Sequence, residues 1–557
     1  MLDLDHHQLS SSTLILAIFS FFFFSLHGNA KQIYVDSYDV LSSCLIENNV
    51  HNFTFYPRND NDSSPYFGLL NFSMQNLRLA NTSSPKPEAI ILPGTKQELA
   101  SSVLCCRKTS LDIRVRCGGH SYEGTSFLVA GPTSFVIIDM MNLDQVRVDL
   151  ESEVAWVEGG ATLGQTYYEI AEASGGARGF SAGSCPTVGS SGHIAGGGFG
   201  LMSRKYGLAA DNIVDAILID AEGRILDKDE MGEDVFWAIR GGGGGIWGIV
   251  YAWKIRLLSV PRTVTSFIVS RPGTRSQVAS LVHKWQFVAP KLDDKFYLSS
   301  TLGAGLPEMG GNIGLSATFK GFYLGPKQEA FKIINSTFPK LGLVPKECVE
   351  MSWIESILFF GDLEKGASVE RLKDRYYKTK TYFKAKSDYV RTPIPFRGML
   401  AALDVLEKEP KGLVILDPYG GAMEKINDKS IPFPHRRGNL YTIQYLVNWD
   451  ESNANQGRNF VDWIRGFYDS MTPYVSRGPR AAYVNYMDFD LGIMDGSKVN
   501  DIELARVWGE KYFLHNYDRL VSAKTIIDPL NVFRHQQGIP PLAEIASEVV
   551  LNDFMNA

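Results

Sequence analysis

Residues 114–124 read R-V-R-C-G-G-H-S-Y-E-G, and residues 181–200 read S-A-G-S-C-P-T-V-G-S-S-G-H-I-A-G-G-G-F-G. Each stretch joins backbone-permissive glycines to one nucleophilic side chain, His120 in the first and Cys185 in the second. Successive backbone N–H groups in a glycine-rich turn form a concavity that takes an anion. The two loops together could cradle a diphosphate, with Arg114 or Arg116 adding charge; the alternative is a pair of tight turns. Neither loop supplies G-x-G-x-x-G opening a helix after a strand, so the dinucleotide fingerprint is absent. The five glycines at 241–245 are open to the same two readings. Residue chemistry alone reaches a phosphate-bearing ligand and stops there.

Outward from these loops, the 557 residues exceed one ordinary core and fit two or three domains. A hydrophobic share of 45% with 21% charged residues fits a soluble globular chain. The net charge of −6, without a block of like charges, argues against a nucleic-acid partner, which needs a basic face. Leu14–Leu26 is an apolar run far shorter than the roughly 20 residues of a membrane span. Gly28 and Ala30 place small residues as a signal peptidase requires, so residues 1–30 read as a signal peptide rather than an anchor. No Lys or Arg precedes that run, which is unusual for such a signal. No other stretch approaches spanning length.

Asn52, Asn61, Asn71, Asn81 and Asn335 each sit in N-x-S/T, an acceptor for glycans on a secretory route. Four of the five precede residue 85, which favours a glycosylated segment over chance. The cysteines are Cys44, Cys105, Cys106, Cys117, Cys185 and Cys348. Spacing alone does not pair them, and no C-x-x-C or His/Cys cluster points to a metal.

Residues 89–95, 135–140 and 153–160 are strand-like, and Thr162 with Gln165 forms a T-x-x-Q capping box. Leu163, Tyr167, Ile170 and Ala171 give the following helix an apolar face, which Gly175 and Gly176 end. A-I-L-I-D-A-E-G-R-I-L-D (216–227) reads as two strands around a turn. Trp253, Ile255 and Leu257 alternate with Lys254 and Arg256, as in a half-buried strand. Strands and helices that do not strictly alternate indicate an α+β fold. Pro261 marks a boundary, and a second α+β region follows, with alternating strands near 296–302 and 313–323. The C-terminal piece shows no core of its own.

The two opening stretches, with R-K-Y-G-L-A-A-D-N (204–212), F-W-A-I-R-G-G-G-G-G (236–245), K-S-D-Y-V (386–390) and P-R-A-A-Y-V-N-Y (479–486), strongly resemble the plant berberine bridge enzyme-like family of FAD-linked oxidoreductases. The resemblance runs in order over the mature chain. It implies a glycosylated N-terminal segment (31–82), an FAD-binding domain (83–260) and a substrate domain of antiparallel sheet backed by helices (261–480). A C-terminal segment (481–545) completes the FAD domain. It also implies FAD held covalently, His120 to the 8-methyl carbon and Cys185 to ring carbon six. Imidazole nitrogen and thiolate are the side chains able to add to an electron-poor flavin ring. Two such tethers raise the flavin's potential. Arg116, Gly118, Gly119, Ser121, Val188, Gly189, Gly192, His193 and Asn485 are implied cofactor contacts.

Tyr122, Tyr483 and Tyr486, with Gln444, are the implied catalytic set. A tyrosine base must have its pKa lowered from near 10 by roughly two to three units, which a positive neighbour normally achieves. Here the chain departs from many relatives: Thr442 stands where alcohol-oxidising members have lysine, and Phe199 where they have tyrosine. Both changes weigh against a monolignol substrate. Cys117 replaces the usual serine, either as a silent isostere or as a thiol that perturbs its loop. Val188 implies dioxygen as electron acceptor and hydrogen peroxide as product. Family spacing pairs Cys44 with Cys105, leaving Cys106 and Cys348 outside a disulfide. The expectation is a monomeric secreted oxidase, in the wall or vacuole, acting on a small metabolite or sugar. Fold does not choose the reaction. A non-redox cyclisation catalyst keeping FAD structurally and an idle flavin-binding defence glycoprotein are the competing readings.

Overall fold

The computed structural model describes residues 37–57, 65–80, 84–129, 131–361, 363–364, 366–376, 380–494 and 501–542. The expected signal peptide and the acceptors Asn61 and Asn81 lie outside the described residues, while Asn52, Asn71 and Asn335 are exposed. The fold is α+β, as the mixture of periodicities predicts.

Two larger sheets and a two-stranded pairing of Arg178–Gly179 with Leu258–Ser259 make the first half. Phe53–Phe55, Ala89–Ile91, Phe135–Asp139 and Asp112–Arg116 form a four-stranded sheet in that order, the last three parallel. Val146–Asp149, Val154–Glu158, Ile249–Arg256, Ile213–Ile219 and Ile225–Leu226 form an antiparallel five-stranded sheet. The helix Leu163–Ser174 begins at Thr162, whose Oγ1 accepts the Gln165 N–H at 3.3 Å, and ends at Gly175 with φ 57°. The reciprocal half of the expected capping box is missing, because the Gln165 side chain donates instead to the Asp144 carbonyl. The disulfide Cys44–Cys105 is present.

The second half is built on an antiparallel sheet of seven strands. Their order is Val349–Met351, Val264–Pro272, Ser316–Tyr323, Phe296–Gly303, Gly412–Pro418, Tyr441–Trp449 and Tyr382–Val390. Side chains alternate between its faces. Leu298, Leu302, Val414, Leu416, Ile443 and Tyr445 share a core with Val282 and Trp285 of the helix Arg275–Val288 and Leu403 and Leu406 of Phe396–Glu407. The residues between them, among them Tyr297, Ser299, Asp417 and Gln444, face a cavity on the other side.

The C-terminal segment indeed lacks a separate core. Trp508, Tyr512 and Leu520 are buried in one cluster with Val157, Leu163 and Trp253 of the first half. Lys524, fully buried, donates to the carbonyls of Ile246 and Phe533 and to Asp528 Oδ2. That lysine ties the glycine-rich loop at 241–248 to the turn at 528–533.

Candidate active site

The cavity, about 650 Å³, lies between the two glycine-rich loops and the polar face of the seven-stranded sheet. The loops approach backbone to backbone: a Cβ on Gly118 would stand 2.4 Å from the Gly189 nitrogen. Gly119 holds φ +67° against the Ser73 carbonyl, which a Cβ would meet at 1.9 Å. Only glycine supplies both features. His120, Ser121, Tyr122, Cys185, Val188, Gly192 and His193 are thereby brought to one wall, with Gly118, Gly119 and Gly189.

His120 Nε2 and Cys185 Sγ both meet the hydroxyl of Thr187, at 2.9 and 3.8 Å. Burial lowers the His120 imidazole to about 4, against a hydrogen bond at Thr187 that raises it, so the ring is neutral at pH 7. His193 is likewise lowered to about 4 by burial, and its Nε2 accepts the Gly183 N–H at 2.9 Å. Cys117 sits against Gly189 with its thiol donating to the Ala161 carbonyl at 3.7 Å. Burial pushes that thiol up to about 11, so it stays protonated.

Arg116 is not among the residues that border the cavity. Its guanidinium pairs with Asp139 at 2.6 Å and donates to the carbonyls of Leu69 and Leu70. Arg116 and Asp139 are cross-strand partners in the parallel sheet, so the charge is consumed there. Arg114 does reach the cavity wall, though its own hydrogen bonds go to the carbonyls of Ile113, Leu128 and Arg534.

The tyrosines do converge. Tyr122 stacks on Tyr486 with ring centroids 5.5 Å apart and accepts Gln444 Nε2–H at 2.7 Å. Tyr483 OH accepts three N–H donors, from Gly198, Phe199 and Asn485 Nδ2, at 3.0, 3.2 and 3.0 Å. The lowering that a tyrosine base requires is not what the surroundings supply. Burial raises Tyr122, Tyr483 and Tyr486 alike, and among the described residues no cation is placed against any of them to reverse it. Thr442 donates to the Asp388 carbonyl, and Phe199 stacks on Tyr419 at 5.2 Å. Tyr483 is a hub for its loop. Tyr483→Phe leaves the three donors without their acceptor and is expected to cost about 2–4 kcal/mol, read as a lower urea midpoint. An unchanged midpoint would mean that water replaces the hydroxyl.

Sequence reasoning missed five groups. Thr187 stands behind the cavity wall, inside the same motif as Cys185. Asp417 and Tyr297 face each other across strands, and only the two-residue alternation could have placed them on the cavity side. His535 Nε2, like Ser126 Oγ, borders the cavity, is buried, and has no hydrogen-bond partner among the described residues. Orphaned polar atoms at a glycine-walled cavity are what a large polar cofactor would satisfy. The donor set fits a flavin dinucleotide.

Comparison with known proteins agrees. Residues 87–228 match the model described as FAD binding domain, and residues 482–540 match berberine and berberine like. The chain is 60% identical to berberine bridge enzyme-like D-2 of Nicotiana tabacum, covering 95% of this chain and 96% of that one. It is 48% identical to reticuline oxidase of Papaver somniferum, over 93% and 95% of the two chains. The solved berberine bridge enzyme of Eschscholzia californica superposes with a TM-score of 0.86 at 49% identity, covering 90% of this chain and 99% of that chain. Sequence, fold and cavity therefore agree that this chain belongs to the berberine bridge enzyme-like family of FAD-linked oxidoreductases.

Proposed function

We propose that the chain is an oxidase holding FAD through two covalent bonds, from His120 and Cys185, and oxidising a small plant metabolite with dioxygen as final acceptor. One observation carries this reading: the imidazole and the thiol converge on Thr187 beside the cavity. When bound, FAD supplies a two-electron acceptor for hydride. The protein supplies the rest. Neutral His120 keeps a ring nitrogen lone pair for bond formation, and Thr187 fixes both nucleophiles in register. Ser126, His535, His193 and Asn485 border the volume as polar contacts, and Val188, the residue that the family resemblance links to dioxygen as acceptor, borders it as well. Tyr122, which accepts a hydrogen bond from Gln444, and Tyr486, stacked on it, present an aromatic face to substrate.

Relatives are named reticuline oxidase, tetrahydroberberine oxidase and monolignol oxidoreductase. The aromatic lining here supports an aromatic alcohol or amine over a sugar. Exposed Asn52, Asn71 and Asn335 support glycosylation on a secretory route, and among the described residues no helix is long and apolar enough to cross a membrane.

The test is denaturation of the purified protein in acid. Yellow colour is expected to stay with the precipitated polypeptide; colour released entirely to the supernatant would defeat double attachment. Anaerobic mixing with (S)-reticuline, coniferyl alcohol and glucose then separates the oxidase, which bleaches, from a cyclisation catalyst or an idle glycoprotein, which does not.

A further inference from the structure

Among the described residues Asp417 is the one carboxylate that borders the cavity. It lies near the end of the strand Gly412–Pro418, with Ile415, on the cavity face of the sheet. Tyr297 O–H donates to its Oδ1 from the neighbouring strand, and no hydrogen bond of Oδ2 is found among the described residues. The pair is held from behind. Arg204, 1% exposed, donates to the carbonyls of Tyr419, two residues past Asp417, and of Phe296, next to Tyr297. Its remaining N–H groups bond the carbonyls of Pro290, Leu292 and Asp293. A guanidinium spent wholly on backbone fixes the separation of the two strands, and with it the direction of the carboxylate.

We propose that Asp417 is the proton acceptor of the substrate half-reaction, its Oδ2 taking the proton of a hydroxyl or amine whose carbon gives up hydride. The proposal rests on the oxidase reading above. The substrate O–H or N–H bond breaks and its proton forms an O–H bond on Asp417. The electron pair left behind becomes the second bond to carbon, giving a carbonyl or imine, as the adjacent C–H pair leaves as the hydride that the bound flavin accepts. Dioxygen takes those two electrons with two protons, one of them returned from Asp417, and departs as hydrogen peroxide.

The surroundings favour this role over anchoring a substrate cation. Lys320 faces the same cavity two strands away, opposite Ser299, and a bound ammonium would meet its charge. Tyr297 and Tyr419 flank the carboxylate, and Tyr122, Tyr483 and Tyr486 feel its field from the opposite wall. Burial raises the Asp417 carboxyl to about 6, against the Tyr297 hydrogen bond and Lys320, which lower it. A base with that value is mostly ionised at neutral pH and still close enough to it to take a proton efficiently.

The test uses the flavin-loaded full chain and Asp417→Asn, which retains the Tyr297 contact. Anaerobic flavin bleaching is followed from pH 5 to 8 with whichever of (S)-reticuline, coniferyl alcohol and glucose reduces the wild type. The wild-type rate should rise with pH through about 6 and level off. Asp417→Asn should lose about 10²–10⁴-fold with a flat profile, and Asp417→Glu should restore the slope. Independently of turnover, infrared pH-difference spectra of the resting protein should show a carboxylic acid band titrating near 6 that Asp417→Asn lacks. Equal rates in wild type and Asp417→Asn, with bleaching intact, would overturn the assignment and leave the oxidase reading standing. Absence of the titrating band would overturn it too. Failure of the wild type to bleach with any of the three would remove the oxidase reading, and the assignment with it.

Discussion

The double variant His120→Ala, Cys185→Ala is expected to release all of its flavin on acid denaturation, whereas each single variant keeps one bond and stays coloured. The wild-type polypeptide should carry the mass of one FAD, with flavin-bearing peptides containing both His120 and Cys185. The reason is local. His120 is neutral because it is buried, and Thr187 Oγ1 stands 2.9 Å from its Nε2 and 3.8 Å from the Cys185 sulfur. Each nucleophile is thus fixed before any bond forms, and loss of one should leave the other in place. Electron-withdrawing attachment makes the ring a better acceptor, so each lost tether should lower the reduction potential. For a two-electron couple, roughly 30 mV corresponds to a factor of ten in equilibrium. A fall of that order in each single variant, and a larger one in the double, is the expected potentiometric result. A double variant that remains coloured in acid would show that attachment lies elsewhere. Singles that already release everything would show that the two bonds depend on each other.

Much of this architecture could be read from local patterns. The helix after Thr162 had its cap, its apolar stripe and its terminal glycine in view, and the structure differs only in where Gln165 spends its amide. Strands with alternating burial, such as Ile249–Arg256, were legible for the same reason. Long-range pairing was not. Asp417 and Tyr297 are 120 residues apart, and only the order of the seven strands brings them together. Arg116 looked like a ligand because it precedes a glycine-rich loop, yet its register partner in the parallel sheet is Asp139, which claims the charge. The tyrosines were found, but their protonation depends on burial, which a string of residues does not display. Motif resemblance located the glycine-rich wall of the cavity; the sheet side took the observed strand order, because alternation alone does not say which face is turned to the cavity.

Lys384→Met is expected to lower the unfolding free energy by about 3–5 kcal/mol, the usual cost of removing one partner from a buried ion pair. Lys384 is 3% exposed and lies on the edge strand Tyr382–Val390 of the seven-stranded sheet. Its ammonium donates to Glu123 Oε1, next to Tyr122 in the His120 loop, and to Asp488 Oδ1 of the C-terminal segment at 2.7 Å. Two residues on, Lys386 faces the same way and reaches Asp488 and Asp490 at 2.5 and 2.9 Å. One ammonium thus joins three pieces of chain that share no local sequence. Burial alone would lower the Lys384 ammonium, but Asp488, Glu123 and Asp490 raise it above the ordinary lysine value. A raised value means that its contribution is fully present below the unfolded lysine pKa and is lost as pH climbs through the folded one. Methionine fills similar volume, so the deficit comes from Glu123 and Asp488 left in low dielectric with fewer partners. Arg78 still holds Glu123 at 2.7 Å and Lys386 still holds Asp488, which puts the expectation at the lower end of the range. Pairing the change with Glu123→Gln should recover part of the loss, because one stranded charge is removed; simple additivity of the two single effects would show that the groups do not couple. Urea unfolding followed by flavin fluorescence reads both quantities. The stabilising contact and the cavity wall are neighbours in sequence, Glu123 after Tyr122, so the same variant should also alter flavin absorption before it unfolds.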